Sequence, residues 1–124
     1  MGAIKRLPDS ELEIMQAVWS FEPPVPRAKV EEKVRESSDL AQTTILTLLS
    51  RLADKGFIKA EKQGRSSVYT PLVSKEEFQA SQSRNFFEKM FGGDVTAFAA
   101  ALSESGISKE DLRELKELLE RKEL

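Results

Sequence analysis

The sequence contains neither cysteine nor histidine. The chain therefore cannot form disulfides, thiolate nucleophiles, imidazole general bases or zinc sites with Cys or His ligands, and we expect no metal, no cofactor and no enzyme activity. Long apolar segments are also missing. No run approaches the roughly 18 residues of a membrane span, and the first residues lack the apolar stretch of a signal peptide. We expect a cytoplasmic protein that does not associate with a membrane.

The charge balance is close to neutral, with 19 basic and 21 acidic residues among 124 and a net charge of −2. Taken alone, this value argues against nonspecific binding of polyanions. The segment from Gln42 to Tyr69 differs from the average, because it carries five basic side chains against two acidic ones. Its local charge of +3 makes this segment the place where contact with nucleic acid is expected.

Apolar periodicity predicts three helices in the first half of the chain. Ser10 and Glu13 have the spacing of a capping box that opens the first helix, and Pro26 suits the first turn of the second. The third helix covers residues 42–55 and is followed by Gly56 as its stop. Its core-facing stripe is formed by Ile45, Leu48, Leu49 and Leu52.

Two short extended runs follow, residues 57–62 and 67–72, and the turn between them contains Gly64. Three helices and a hairpin with a basic tip predict a winged helix-turn-helix domain over residues 1–73. Residues 74–124 are predicted to form three more helices, opened by a capping box at Ser74 and interrupted at Gly92. The predicted fold class is mainly α with a small β-hairpin, in which the winged helix precedes a helical dimerisation region.

The dimerisation assignment follows from a surplus of apolar side chains in residues 74–124. Three short helices totalling about 50 residues are marginal as an independent domain and cannot hide so many apolar groups by themselves. A second copy of the chain is the expected cover. The predicted interface residues are Phe86, Phe87, Met90, Phe91, Phe98, Leu102, Leu112, Leu115, Leu118 and Leu119.

The third helix also has a polar face, opposite its apolar stripe. Short hydroxyl side chains beside an arginine allow a helix to enter the major groove closely, where they can contact base edges. A merely solvated helix face would have the same composition, but here the helix precedes a basic hairpin that can reach phosphates. The predicted DNA-binding residues are Gln42, Thr43, Thr44, Thr47, Arg51, Lys55, Lys62, Arg65 and Ser66.

Two other classes of function compete with DNA binding. Acidic residues such as Asp9, Glu11 and Glu13 could pair carboxylates for acid–base catalysis, although acids in a first helical turn usually complement the helix dipole. A winged helix can also serve as a protein-interaction module without direct DNA binding. Salt dependence separates these alternatives, because only binding to DNA should weaken steeply as salt is added.

Several segments together carry a resemblance to a known family. The run from Thr43 to Ile58, TTILTLLSRLADKGFI, resembles the signature of the penicillinase-repressor family of bacterial winged-helix repressors, which includes BlaI, MecI and CopY. Residues 12–19 resemble the family's first helix, residues 64–72 resemble its wing, and Phe91-Gly92-Gly93 resembles the turn inside its dimerisation region. The match extends from about Leu7 to the last predicted helix.

The resemblance implies a homodimer that binds a pseudo-palindromic operator in double-stranded DNA, with Thr43, Thr44, Thr47 and Arg51 in the groove. It also implies a sensor protease in antibiotic-responsive members, whose cleavage site falls at Ala100-Ala101 by position, although this chain lacks the Asn-Phe pair that is cut there. Copper sensing through a C-terminal cysteine cluster, as in other members, is excluded because the chain has no cysteine.

Overall fold

The structure is a computed structural model that describes residues 4–122. It contains six helices and three strands in that range, in the order expected of a winged helix followed by a helical region. They are α1 (Asp9–Trp19), β1 (Val25–Pro26), α2 (Arg27–Arg35), α3 (Gln42–Asp54), β2 (Ile58–Gln63), β3 (Ser66–Pro71), α4 (Lys75–Phe91), α5 (Val95–Glu104) and α6 (Lys109–Lys122). The predicted fold class, mainly helical with a small β-structure, is confirmed.

Contacts within the chain divide it into two compact units, Met1–Gln82 and Ser83–Leu124, and the division falls inside α4. The first unit contains the three predicted helices, the hairpin and the first turns of α4. The second contains the end of α4 together with α5 and α6. The assignment of residues 1–73 to DNA binding and residues 74–124 to dimerisation concerns function and stays a prediction.

The sheet of the first unit has three antiparallel strands in the order β1-β3-β2. β2 and β3 form the predicted hairpin, whose register runs from Ile58 opposite Pro71 to Gln63 opposite Ser66. The prediction of a two-stranded hairpin missed β1, in which Val25 pairs with Tyr69. A strand of two residues has no periodicity to detect, and its proline is acceptable because β1 lies at the sheet edge.

The hydrophobic core of the first unit lies between α1, α2, α3 and the sheet. The four stripe residues of α3 are buried as predicted, together with Ile14, Met15 and Val18 of α1 and with Phe57 and Tyr69 of the hairpin. Phe78 of α4 belongs to the same core and packs against the rings of Trp19 and Phe57, with centroids 5.6 and 5.9 Å away. This core holds α3 against α1.

The start of α4 agrees with the predicted capping box at Ser74, whereas the start of α1 does not agree with the predicted box at Ser10. The Ser74 backbone N–H donates a hydrogen bond of 3.0 Å to Glu77 Oε1, and the Glu77 backbone N–H donates one of 3.0 Å to Ser74 Oγ. Hydrogen bonding to the Glu77 carboxylate, mainly from the Ser74 backbone N–H and also from the Ser74 side chain, holds the pKa of Glu77 below its usual value. The predicted Ser10 box is wrong: Pro8 occupies the N-cap position of α1 without a side-chain cap. Asp9 and Glu11 in the first turn favour this earlier start through the helix dipole.

In the second unit, α4 and α5 contact each other through a small aromatic cluster. Phe91 lies 5.2 Å from Phe98 and 5.9 Å from Phe86 between ring centroids, and Phe87 lies 5.5 Å from Phe98. Gly92 and Gly93, with φ of +59° and +78°, make the left-handed turn that ends α4. No residue of this unit is fully buried within the part of the chain that the structure describes.

Candidate nucleic-acid interface

Helix α3 presents an exposed polar face on the side opposite its buried stripe. Ile45 and Leu49 hold the buried stripe against the core, and the 3.6-residue period then directs the side chains of the opposite face outward. Gln42, Thr43, Thr44, Thr47, Ser50 and Arg51 are all exposed and form what we call the polar face. The structure therefore brings together the predicted DNA-binding residues of α3 on one exposed face, and Lys55, which is also exposed, follows at the C-cap.

Thr47 uses its hydroxyl group locally in the unbound chain. Its Oγ1 donates a hydrogen bond of 3.0 Å to the carbonyl oxygen of Thr43, one turn earlier in α3. A threonine hydroxyl has one hydrogen to donate and two lone pairs that accept. Because this hydrogen is already donated to Thr43, Thr47 Oγ1 faces solvent as a hydrogen-bond acceptor. An acceptor at this position is complementary to the amino groups of adenine and cytosine, which are donors in the major groove.

Lys55, at the C-cap of α3, forms an ion pair with Glu11 of α1. The Glu11 side chain is only 4% exposed, whereas the Lys55 side chain is 30% exposed. Glu11 is predicted to complement the helix dipole in the first turn of α1, and its contact with Lys55 is not predicted. A signal was available, because Glu11 lies at helical spacing from the buried Ile14 and Met15 and so falls on the apolar side of α1.

The wing is the β2–β3 hairpin, and its tip carries the remaining predicted contacts. Gly56, with φ of +82°, redirects the chain from α3 into β2, and Gly64, with φ of +67°, forms the turn at the tip. Lys62, Arg65 and Ser66 are exposed around this turn, within the residues 62–67 predicted to contact the DNA backbone. The structure thus gathers these three residues at the end of the hairpin.

Half of the predicted dimer residues are exposed in the second unit, and we call their apolar area the open apolar surface. Met90 is 64% exposed, Leu119 56% and Phe86 52%, and Leu115 and Leu118 are also exposed. The other five, Phe87, Phe91, Phe98, Leu102 and Leu112, are half-buried within the unit. Ala100 and Ala101 are exposed in the middle of α5, and their cleavage stays a prediction.

None of the helices between residues 4 and 122 combines the length and the apolar character needed to cross a membrane.

A family model described as "Penicillinase repressor" matches residues 7–121. The penicillinase repressor of Bacillus licheniformis is 29% identical over 121 residues, which cover 97% of this chain and 94% of the relative. The methicillin resistance regulatory protein MecI of Staphylococcus aureus strain N315 is 27% identical over 114 residues, covering 91% and 92% of the two chains.

Solved structures agree with the sequence relatives. The solution structure of the DNA-binding domain of the repressor BlaI is 32% identical, with a TM-score of 0.53 over 62% of this chain and 93% of that chain. The Bacillus licheniformis BlaI monomeric form, solved in complex with the blaP half-operator, is also 32% identical, with a TM-score of 0.52 and the same coverage. These relatives are repressors and not enzymes, and the resemblance seen in the sequence is confirmed. The chain belongs to the penicillinase repressor family.

Proposed function

We propose that this protein is a transcriptional repressor that binds a pseudo-palindromic operator in double-stranded DNA as a homodimer. In this proposal α3 enters the major groove and the wing tip, residues 62–67, contacts the phosphate backbone. The observation that carries the proposal is the exposed polar face of α3 together with the exposed basic wing tip. The BlaI relative bound to a half-operator supports it, because that protein has the same domain fold at 32% identity.

The polar face is suited to contact base edges in the major groove because most of its side chains are short. Thr43, Thr44 and Thr47 offer hydroxyl and methyl groups that can accept hydrogen bonds or cover thymine methyl groups. Arg51 lies on the flank of the same face and can reach phosphate or guanine. Few long side chains stand between the helix backbone and the bases, so α3 can lie deep in the groove.

The wing tip suits the phosphate backbone because its charges are exposed and carried by a tight turn. Lys62 and Arg65 can each neutralise one phosphate without reading a base. Such contacts fix the orientation of the protein on the duplex and strengthen binding to every sequence alike. Specificity then comes from the polar face of α3.

The homodimer proposal rests on the open apolar surface of the second unit. Three short helices without a fully buried side chain in residues 83–122 gain stability when a second copy covers them. Two-fold symmetry would then place two winged-helix units on the two halves of an operator. The half-operator bound by the BlaI monomeric form agrees with this division of the site.

Replacing Arg65 by Ala tests DNA binding at the wing. We expect weaker binding to all sequences by a similar factor and a log–log salt slope that is shallower by ~0.9, the value for one phosphate contact. Fluorescence anisotropy over a range of salt concentrations, on a selected genomic fragment and on a scrambled duplex, measures both quantities. Arg113→Ala in α6 is the matched control and should leave the slope unchanged.

The Arg65 experiment also tests the proposed function as a whole. A wild-type chain that binds no duplex, or binds with no salt dependence, would point instead to a protein-interaction module. A change of base preference in Arg65→Ala with an unchanged slope would place Arg65 in a groove instead of on the backbone.

Replacing Thr47 by Val tests groove contact by α3. The substitution keeps the shape and removes the hydroxyl acceptor, so operator affinity should fall by about 1–3 kcal/mol, with relaxed discrimination at one base pair that presents an amino group. Binding to operator variants at each position measures the effect. Thr96→Val in α5 is the same chemical change outside the interface and should bind normally. Wild-type affinity in Thr47→Val would show that α3 does not read bases through this residue.

A further inference from the structure

The ion pair between Glu11 and Lys55 joins two helices that play different parts in the first unit. Glu11 is 3% exposed and lies on the side of α1 that packs into the core. Lys55 is the C-cap residue of α3, one turn beyond Arg51 of the polar face. The pair therefore attaches the end of the proposed recognition helix to α1.

The pair also determines where the positive charge of Lys55 lies. The polar-face residues of α3 are exposed to solvent, but the Lys55 ammonium is held against a carboxylate that is almost completely removed from water. Glu11 is costly to bury without a partner, and its attraction for the ammonium is correspondingly strong in this low-dielectric surrounding. Lys55 is thus kept back toward α1, although its own side chain is 30% exposed and could reach solvent if released.

A lysine at the end of a recognition helix would normally strengthen binding to DNA of any sequence. Each phosphate that a lysine neutralises releases counterions, and this gain is independent of the base pairs. A gain of that kind raises the affinity for the excess of nonspecific sites as well as for the operator, so it does not improve discrimination. An ammonium paired with a buried carboxylate contributes little to phosphate neutralisation and to the counterion release that follows from it.

We propose that Glu11 is a positioning residue for DNA recognition, which holds Lys55 away from the phosphate backbone and so limits binding to nonspecific DNA. The inference rests on the proposed function, because it assumes that α3 lies on DNA. It revises the sequence-based prediction that Lys55 is a DNA contact. Arg51 and the wing tip then supply the phosphate contacts near α3, and Lys55 supplies none.

The test compares the wild type with Glu11→Gln and with the neutral double variant Glu11→Gln/Lys55→Met. Glu11→Gln keeps the size of the side chain and removes its charge, so Lys55 is released and becomes available to a phosphate. We expect its salt slope to become steeper by ~0.9, which corresponds to an additional loss of affinity of about 3.5-fold between 50 and 200 mM salt. The double variant should return to the wild-type slope. Anisotropy on operator and scrambled duplexes measures all three proteins.

The ratio of operator to scrambled affinity provides a second readout. It should be the same in Glu11→Gln as in the wild type, while both affinities rise at low salt, because the released lysine strengthens binding to every sequence alike. An unchanged slope in Glu11→Gln, or a slope that stays steep in the double variant, would overturn the inference. Circular dichroism confirms that each variant is folded before its slope is interpreted.

The double variant keeps the inference testable even if Glu11→Gln does not fold. If Lys55 already contacts a phosphate in the wild type, removing both side chains must make the slope shallower by ~0.9, and that result would overturn the proposal. A wild-type slope in the double variant supports it. Failure of the proposed function is recognised separately, because then the wild type itself shows no salt-dependent binding to DNA.

Discussion

Replacing Lys55 by Met is expected to lower the free energy of unfolding of the first unit by about 3–5 kcal/mol, because it leaves the buried Glu11 carboxylate without its partner. Methionine fills nearly the same space as the lysine stem, so packing changes little. The loss in the free energy of unfolding therefore measures the effect of removing the charge of Lys55. For a unit of this size, each kcal/mol corresponds to roughly 4–8 °C in melting temperature. Urea titration and thermal scans of the full chain, followed by circular dichroism, measure the change.

The two members of the pair should not be equivalent. Glu11→Gln leaves a lysine that can extend into water, because its side chain is 30% exposed, and its cost should be clearly smaller than that of Lys55→Met. The double variant Glu11→Gln/Lys55→Met removes both charges and should recover most of the stability that Lys55→Met loses. Wild-type stability in Lys55→Met would mean that Glu11 finds water or another donor, and that the pair does not hold α3 to α1.

Features that depend on short-range patterns could be predicted from the sequence. The stripe of Ile45, Leu48, Leu49 and Leu52 follows the helical period, and the structure buries all four residues. Likewise, Gly56 and Gly64 stand where the backbone needs a positive φ, and the structure places each of them in the left-handed region. These features require no knowledge of distant residues, and this is why α3 and the wing were identified.

Features that depend on tertiary contact could not be read in the same way. β1 forms because Val25 pairs with Tyr69, which lies 44 residues later. A strand of two residues has no local sequence pattern that would predict it. The start of α1 at Asp9 and not after Ser10 shows that a capping sequence competes with other start signals nearby. Glu11 is the most informative case, because its position on the apolar side of α1 was visible but its partner lies 44 residues away.

The polar face of α3 and the open apolar surface of the second unit require different experiments, because only the second is proposed to contact another copy of the chain. A single copy determines which residues of α3 are exposed, so the structure shows the set that could contact DNA. For the second unit, a single copy shows only that large apolar groups are uncovered. A second copy of the chain is their proposed cover, and a variant that changes assembly tests this proposal.

Replacing Leu115 by Asp is expected to weaken the proposed homodimer strongly. Leu115 is 40% exposed in the single chain, so the new carboxylate is solvated in the monomer and its cost falls on the assembled state. Burying it unpaired in the dimer should cost about 3–5 kcal/mol, which raises the dissociation constant by more than about 100-fold. Operator affinity should fall with it, because two linked half-site contacts become two separate and weaker ones.

Sedimentation over a range of concentrations measures the dimer, and anisotropy on the operator duplex measures the consequence for DNA binding. Arg113→Ala is the matched control: it also makes the chain more negative by one charge, but it lies on the opposite face of α6. That variant should sediment as the wild type does. A dimer of unchanged strength in Leu115→Asp would place the interface elsewhere, whereas dissociation with half-site binding retained would show that α6 joins the two copies and that each winged helix binds DNA independently.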